Sequence, residues 1–273
     1  MLGAILAIES EPLAAQKVFT VGFFEVTNSM LFGLFAAVLT VSLLGFAAWR
    51  SRLYPRSRLS YYMESLVDLI FGVAKDSFGN RQTALKHLPL LVTLFSFIMI
   101  SNLSGLLPGV GTLHTSAGGE EVSIFRPFTT DLNGTLALAI LTIGLVQFYA
   151  ISELGLGGHL KHYFSNRPWR PINMFIGLNE IFSELLRIVT LSMRLFGVIY
   201  AGEVLINAIA QLSGNLAWAA TLPVIFLEIF FSAVQAYVFM MLTATYLSIA
   251  VGSFEEKKQS VQTKVQLKTG PTP

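Results

Sequence analysis

Ile188-Val-Thr-Leu-Ser-Met-Arg-Leu-Phe-Gly-Val-Ile-Tyr200 is an apolar stretch with a single charge, Arg194, near its centre. The stretch lies within a longer apolar segment over residues 176–212, for which a membrane-spanning helix is the expected structure. Arginine keeps its proton in proteins. Because a fixed charge at the middle of a bilayer costs about 2.5 kcal/mol or more, Arg194 predicts an ion pathway or a counter-ion site.

The composition of the whole chain also indicates a membrane protein. Hydrophobic residues make up 53% of the 273 residues, charged residues make up 12%, and the mean hydropathy is +0.65. A soluble domain is therefore excluded. The net charge of +2 gives no reason to expect nucleic-acid binding. Since the chain has no cysteine, it has neither a disulfide nor a thiolate metal site.

Hydropathy predicts an all-α integral membrane protein with about five membrane-crossing helices. The predicted spans are 29–49, 88–107, 132–152, 176–212 and 216–252. One set of flanking segments contains most of the basic residues: Arg50, Arg52, Arg56, Arg58, Arg81, Lys86, Lys161, Arg167, Arg170, Lys257, Lys258, Lys264 and Lys268. By the positive-inside rule these segments are cytoplasmic, which predicts an outer N-terminus and an inner C-terminus. That orientation requires an odd number of crossings, and five agrees with it.

The chain is expected to form a single membrane domain over residues 1–273. It begins with an outer N-terminal segment, 1–28, and ends with a cytoplasmic tail, 255–273. Between the first two spans, residues 59–80 alternate charged and apolar side chains at helical spacing. This pattern predicts an amphipathic helix at the inner membrane surface, with a solvated connector helix as the alternative.

The last two spans predict a long helical hairpin over residues 172–252. A helix from Pro171 to Ser213 would be about 60 Å long, whereas the hydrocarbon core is about 30 Å thick. The helix must therefore tilt steeply or bend. The short Gly214-Asn215 link makes the two arms antiparallel, and Pro223 is expected to bend the second arm. Two long inclined helices present a wide surface, which suits a large curved partner.

Ionisable residues on the first arm fall on two sides of its helical wheel. At 100° per residue, Glu180, Glu184, Arg187 and Arg194 lie within about 80° of one another, whereas Glu203 lies roughly opposite Arg194. The predicted topology places Glu180 and Glu184 in the inner half of the membrane and Arg194 near its middle. Glu203 then lies in the outer half.

On the second arm, the spacing of Glu228, Gln235 and Tyr246 places all three on one face of the helix. They form a row of polar side chains along that face. Glu228 follows the outer turn closely, so it shares the outer half with Glu203. Carboxylates are thus divided between the two sides of one central arginine. This layout suits two aqueous half-paths that approach each other without joining.

Two segments of the hairpin resemble the signature segments of the subunit a family of F-type rotary ATP synthases. They are Met193-Arg-Leu-Phe-Gly-Val-Ile-Tyr-Ala-Gly-Glu203 and Gln235-Ala-Tyr-Val-Phe-Met-Met-Leu-Thr-Ala-Thr-Tyr-Leu-Ser248. Shorter matches follow in the family's order along the chain: Asn102-Leu-Ser-Gly-Leu-Leu-Pro108, Asp131-Leu-Asn133, Pro171-Ile-Asn173 and Ser183-Glu184-Leu-Leu-Arg187.

The resemblance implies roles for individual residues. Arg194 would face the carboxylate of a rotating c-ring. Glu203, Glu228 and Gln235 correspond to the lining of the outer proton path, with Tyr246 further along the same helix. Glu180 resembles a residue near the inner path.

The resemblance also implies a setting and a set of partners. The chain would be a multi-pass protein of the bacterial inner (plasma) membrane, in contact with lipid, the c-ring and the peripheral-stalk b subunits. The catalytic head would be reached through the complex. Because the sequence contains no nucleotide-binding motif, ATP chemistry would belong to other subunits. The transported ion is expected to be the proton, without a cofactor.

The chain departs from the bacterial family pattern at two positions. Val198 stands where relatives often have Asn, and Glu228 stands where they often have His. The outer path would therefore rely on a pair of carboxylates, Glu203 and Glu228. Whether the two share a proton is open.

Structural interpretations remain for several of these residues. Arg194 could form an interhelical salt bridge, Glu203 and Glu228 could bond each other to hold the hairpin, and Gln235 could be an interhelical hydrogen-bonding residue. Asp131 is either a helix N-cap or part of the water entrance. Glu184 and Arg187 could form a pair on adjacent turns.

Two other classes of protein compete with the rotary interpretation. In an autonomous secondary transporter or channel, Arg194 would be the counter-ion of an anionic substrate, but no internal repeat supports this class. A pure scaffold would leave the divided carboxylates unexplained. His159 and His162 have a loose metal-ligand spacing without further ligands, so no metal site is predicted.

Overall fold

The computed structural model describes residues 17–21, 24–50, 58–107, 114–117, 120–123, 126–163 and 171–268. This part of the chain contains six α-helices: α1 (Asn28–Arg50), α2 (Arg58–Phe78), α3 (Arg81–Gly105), α4 (Leu132–Tyr163), α5 (Pro171–Ser213) and α6 (Ala217–Lys268). Five of them are long and apolar enough to cross a membrane, over Asn28–Trp49, Arg81–Gly105, Leu132–Ser152, Gly177–Ser213 and Ala217–Ala250. The predicted all-α architecture with five spans is confirmed.

Two short antiparallel hairpins add strands that hydropathy does not predict. In the first, β1 (Lys17–Val21) pairs with β2 (Phe24–Thr27), and Lys17 forms an exposed ion pair of 2.5 Å with Glu25. In the second, β3 (His114–Ala117) pairs with β4 (Glu120–Ser123). Strands of four or five residues are shorter than the windows that reveal membrane helices, so they escape a search for such helices.

The predicted amphipathic helix is α2, and its apolar face is covered by protein. Ile70 and Ala74 are fully buried, and the helix packs against α3 and α6. On the opposite face, Asp68 and Asp76 are exposed. The helix therefore stabilises the bundle through its own hydrophobic contacts, in addition to any contact with the membrane surface.

The second span begins earlier than the predicted residue 88 because a cap starts α3 at Arg81. The side chain of Asn80 accepts a hydrogen bond of 3.0 Å from the backbone N–H of Gln82. Gly79, at φ 65°, makes the preceding turn from α2 in the left-handed region that glycine tolerates. The charges of Arg81 and Lys86 lower the hydropathy of these first turns and conceal them from a search for apolar segments.

The main hydrophobic core lies where α3, α4, α5 and α6 meet. Its fully buried side chains include Leu91 and Ile98 from α3, Leu195 from α5, and Phe239 and Met240 from α6. Outside this core, α1 packs mainly on α3, and much of its surface is exposed. The core thus fixes how α5 and α6 present their other faces.

The long hairpin is formed by α5 and α6, as predicted. A 3-10 turn, Gly214–Leu216, joins the arms, and Gly214 has a φ of 51°. Helix α6 continues to Lys268, so most of the predicted tail, over residues 255–268, is helical. In α4, Gly155 (φ 70°, ψ 151°) interrupts the helix shortly after its apolar span ends at Ser152.

Candidate functional site

Arg194 lies on the exposed side of α5, while its neighbours anchor the opposite side of that helix. Leu191 is 2% exposed and Leu195 is fully buried. Among the residues that the structure describes, no carboxylate lies within 4.0 Å of the Arg194 guanidinium. The alternative of an internal salt bridge is therefore wrong for the described part of the chain. At membrane depth, an exposed guanidinium calls for an anionic partner.

An apolar groove extends along the same side of α5 from Arg194. It has a volume of about 350 Å³ and lies between α5 and α6. Its walls include Gly197, Ala201 and Gly202 of α5, and Leu227, Glu228 and Phe231 of α6. Gly197 and Ala201 follow Arg194 at intervals of one and two helical turns, so the groove continues the surface that carries the arginine. Glu228 is the one charged residue in its lining.

Glu228 is 3% exposed and occupies the space that Gly202 leaves open between the two arms. A Cβ placed on Gly202 would overlap the Glu228 carboxylate. The Glu203 carboxylate, one residue further along α5, is close enough to Glu228 to interact with it electrostatically. The structure thus brings the predicted carboxylate pair together and shows why a glycine stands beside it.

Buried polar side chains continue from Glu228 along α6. Ser232, one turn away, is fully buried, and Gln235 is 5% exposed. Within the described ranges, neither Ser232 Oγ nor Gln235 Nε2 has a hydrogen-bond partner. Buried polar atoms of this kind are commonly satisfied by water. Ser232 was not predicted, although its spacing of four residues from Glu228 is a signal that the sequence contains.

Asp131 caps α4. Its Oδ1 accepts a hydrogen bond of 3.1 Å from the backbone N–H of Asn133, and its Oδ2 accepts one of 2.6 Å from the Ser29 hydroxyl of α1. The residue is 3% exposed. Of the two sequence interpretations, the N-cap is the one that the contacts support. The same carboxylate also joins the beginning of α1 to that of α4.

A second group of buried polar residues lies around the ends of α3 and α4. Asn102 is 1% exposed and Thr129 is fully buried, and within the described residues their side-chain polar atoms have no hydrogen-bond partner. Nearby on α4, the hydroxyl of Thr135 lies 3.2 Å from that of Ser192 on α5, two residues before Arg194. Their sequence positions do not indicate that these residues lie together. They are far apart along the chain and meet only when the helices pack.

Toward the other end of α5, Glu184 and Arg187 have partners on different helices. Glu184 accepts a hydrogen bond from the Gln147 side chain of α4. The guanidinium carbon of Arg187 lies 4.8 Å from the centroid of the Tyr246 ring on α6. An ion pair between Glu184 and Arg187 on adjacent turns, which was one interpretation of their spacing, does not occur among the described residues.

The remaining predictions concern Glu180 and metals. Glu180, which is half-buried, lies one turn from Glu184 on α5. No group of three His, Cys, Asp or Glu side chains suitable for a metal ion occurs among the described residues. The side chains of His159 and His162 lie outside the part of the chain that the structure describes.

Comparisons with known proteins point to one family. The model of the family described as "ATP synthase A chain" matches residues 30–248. A protein of Moorella thermoacetica named "ATP synthase subunit a" is 30% identical over 204 residues, which cover 74% of this chain and 81% of that protein. Proteins with the same name share 33% identity in Pseudomonas savastanoi pv. phaseolicola, covering 70% of this chain and 72% of theirs, and 30% in Aliivibrio fischeri, covering 82% and 83%.

The close approach of Gly202 to Glu228 predicts that a side chain at position 202 lowers the stability of the protein. Gly202→Ala should destabilise the protein by about 0.5–1.5 kcal/mol, because the added methyl group forces the carboxylate end of the Glu228 side chain out of its position. The measurement is thermal unfolding of the purified protein in detergent. Adding Glu228→Ala to Gly202→Ala should recover much of the loss, since it removes the colliding group.

Gly144→Ala on α4 is the matched control, because nothing lies within 4 Å of a Cβ placed there. It should not lower the unfolding midpoint. Equal destabilisation by both alanines, without recovery in the double variant, would contradict the assigned contact.

Proposed function

Because the chain belongs to the ATP synthase A chain family, we propose that it provides the stationary side of the ion path against a rotating c-ring. Family membership makes it a multi-pass, proton-translocating subunit of the membrane sector, without a catalytic role of its own. One observation supports the proposed position beside the c-ring. Arg194 is exposed beside an apolar groove and lacks a carboxylate partner within the described chain.

The groove suits a helix of the c-ring as its occupant. Its apolar lining matches the side chains of a membrane helix, and Gly197 and Ala201 allow close approach of another backbone. A ring carboxylate that reaches Arg194 would supply the missing anionic partner. Because arginine stays protonated, this partner is held as a carboxylate and gives up its proton before pairing.

The proposed outer half-path runs past Glu203 and Glu228 and along Gln235. The two carboxylates are neighbours, and the unsatisfied polar atoms of Ser232 and Gln235 favour water beside them. A proton taken up here would neutralise a ring carboxylate, which can then enter the lipid. The groove supports this order because Glu228 lines it, and because Gly197 and Ala201 of the same lining lie one and two turns from Arg194 on α5.

The proposed inner half-path runs along the other part of α5, near Glu180 and Glu184, with Arg187 and Tyr246 at its border. A proton released by the ring at Arg194 would leave by this route. The fixed charge of Arg194 lies between the two half-paths and opposes direct passage of a cation. The offset paths therefore force each proton to travel with the ring.

The energetics explain why a ring is needed. One charge that crosses 100 mV yields about 2.3 kcal/mol, so several protons must be combined for each ATP. The proton is the proposed ion, and peripheral-stalk b subunits and the catalytic head complete the complex. We place the protein in a bacterial inner membrane with an outer N-terminus and a cytoplasmic C-terminus. In this arrangement residues 1–273 form one membrane domain.

The first test concerns the arginine. Arg194→Ala should abolish ATP-driven proton pumping in membrane vesicles, because it removes the charge that ionises the ring carboxylate. Arg194→Lys should lose at least about tenfold, since lysine lacks the planar donor fork and can deprotonate when desolvated. Pumping is measured with a pH-sensitive fluorescent dye. Native gels establish that the complex has assembled.

Arg58→Ala, which removes an exposed arginine at the start of α2, is the matched control and should pump normally. Wild-type pumping by either Arg194 variant in assembled complexes would refute the proposed role. A protein that purifies in active form without a c-ring would favour the autonomous transporter.

The second test concerns the outer carboxylates. Glu203→Gln and Glu228→Gln should each slow pumping about tenfold or more, because each removes a group that accepts and donates a proton. If the two act as one relay, the double variant should lose less than the two single losses combined. Strictly additive losses in activation free energy would indicate separate roles, and unchanged pumping in both would make the pair structural.

The third test maps the surface that faces the ring. Thr190→Cys and Ala201→Cys lie on the exposed side of α5 and should form disulfides with cysteines introduced in the outer helix of the c subunit. Leu195→Cys and Ile199→Cys, whose native side chains are buried, should not. Interpretation is direct because the chain has no native cysteine. Cross-links spread evenly around α5 would contradict a fixed surface.

A further inference from the structure

Ser192 forms a polar contact between α5 and α4 on the side of α5 that faces away from Arg194. The two residues are two positions apart, so their side chains point about 160° apart around the helix. Ser192 is 1% exposed, and its hydroxyl lies 3.2 Å from the hydroxyl of Thr135, which is also buried. A hydrogen bond between two helices therefore lies behind the arginine.

The direction of this hydrogen bond follows from the second contact that Thr135 makes. The Thr135 hydroxyl donates a hydrogen bond of 3.1 Å to the backbone carbonyl of Leu132. A hydroxyl has one proton to donate and two lone pairs that accept. Thr135 Oγ1 is therefore the acceptor of the Ser192 proton. A directional chain runs from Ser192 of α5 through Thr135 to the first turn of α4.

That first turn of α4 is held in place by residues outside α5. The Asp131 carboxylate accepts hydrogen bonds from the backbone N–H of Asn133 and from the Ser29 hydroxyl of α1. Gly134 packs against the preceding 3-10 turn so closely that a Cβ placed on it would lie 2.9 Å from the Phe128 ring. The hydrogen bond from Ser192 thus connects α5 to a part of the bundle that is fixed independently.

A directional contact at this position matters for the arginine. Apolar contacts are non-directional, whereas a hydrogen bond weakens steeply as donor and acceptor lose their alignment. Rotation of α5 by about 20° would move an atom about 6 Å from the helix axis by about 2 Å. In enzymes, displacement of a reacting group by about 1 Å can cost about a hundredfold in rate. The contact behind Arg194 opposes such a rotation.

We propose that Thr135 and Ser192 are positioning residues, whose hydrogen bond fixes the rotation of α5 and so holds Arg194 toward the c-ring. This inference rests on the proposed function. Each ring carboxylate that approaches Arg194 attracts the guanidinium and pulls on α5. The hydrogen bond to Thr135 resists that pull from the opposite side of the helix.

The test separates positioning from stability. Thr135→Val leaves the buried Ser192 hydroxyl without its acceptor, so it should lower both the unfolding temperature and ATP-driven pumping. The double variant Thr135→Val/Ser192→Ala removes both hydroxyls, so its unfolding temperature should return close to the wild-type value. Pumping by the complete complex should nevertheless stay about fivefold low, because the directional contact is absent. Thr135→Ser keeps a hydroxyl and should pump at half the wild-type rate or more.

Cross-linking to the c-ring reports the rotation directly. Cysteines at Thr190 and Met193 are compared, since both native side chains are exposed on α5 and they point in different directions. If the double variant allows α5 to rotate, the yield from Thr190→Cys relative to that from Met193→Cys should fall about twofold or more. A role in stability alone would leave this ratio unchanged.

Thr142→Val is the matched control. Thr142 lies two turns further along α4 and is 2% exposed, and its hydroxyl donates a hydrogen bond of 2.8 Å to the Leu138 carbonyl of the same helix. This variant should pump at the wild-type rate and keep the wild-type cross-linking ratio. Native gels establish that every variant has assembled.

Three outcomes would overturn the inference. The assembled double variant pumps at the wild-type rate, or it keeps the wild-type cross-linking ratio, or Thr142→Val loses as much pumping as the double variant. Arg194→Ala in the same vesicles separates these failures from failure of the proposed function. If Arg194→Ala is inactive, the positioning role alone is wrong, whereas pumping by Arg194→Ala refutes the proposed function itself.

Discussion

The central constraint on this structure is that a permanently charged guanidinium must lie at membrane depth on the surface of the subunit. Leu191 and Leu195 bury the opposite side of α5 in the core, so Arg194 is directed outward by the packing of its neighbours. No carboxylate of the described chain neutralises it. Removing a charge from water is costly unless an opposite charge compensates it, and this cost is the physical basis for proposing an anionic partner on the c-ring.

The same packing determines how closely the two arms approach each other. Gly202 leaves room for the carboxylate of Glu228, and Glu203 lies beside it. Two neighbouring carboxylates and the unsatisfied polar atoms of Ser232 and Gln235 do not contribute the stability that apolar side chains would. Fully buried residues such as Phe239 and Met240, further along α6, supply hydrophobic stabilisation instead. Buried polar side chains and apolar core side chains thus occupy neighbouring parts of one helix.

Contacts between helices also change the partners that local spacing favours. Glu184 and Arg187 have the spacing of an intrahelical ion pair, yet Gln147 and Tyr246 bind them from two other helices. Asp131 shows the opposite case, because its local role as an N-cap persists while its second oxygen binds Ser29. A local preference is retained when tertiary contacts leave its atoms available, and it is lost when a stronger or better-placed partner competes.

The sequence by itself determined the membrane class, the five spans, the long hairpin and the division of carboxylates around Arg194. These features follow from apolar segment length and helical periodicity, which are local properties of the chain. Only the tertiary structure decided that Gly202 accommodates Glu228, that Gln147 binds Glu184, and that α2 is covered by α3 and α6. Such contacts join residues far apart in the chain, and their geometry depends on how the helices rotate and pack, which a single sequence does not specify locally.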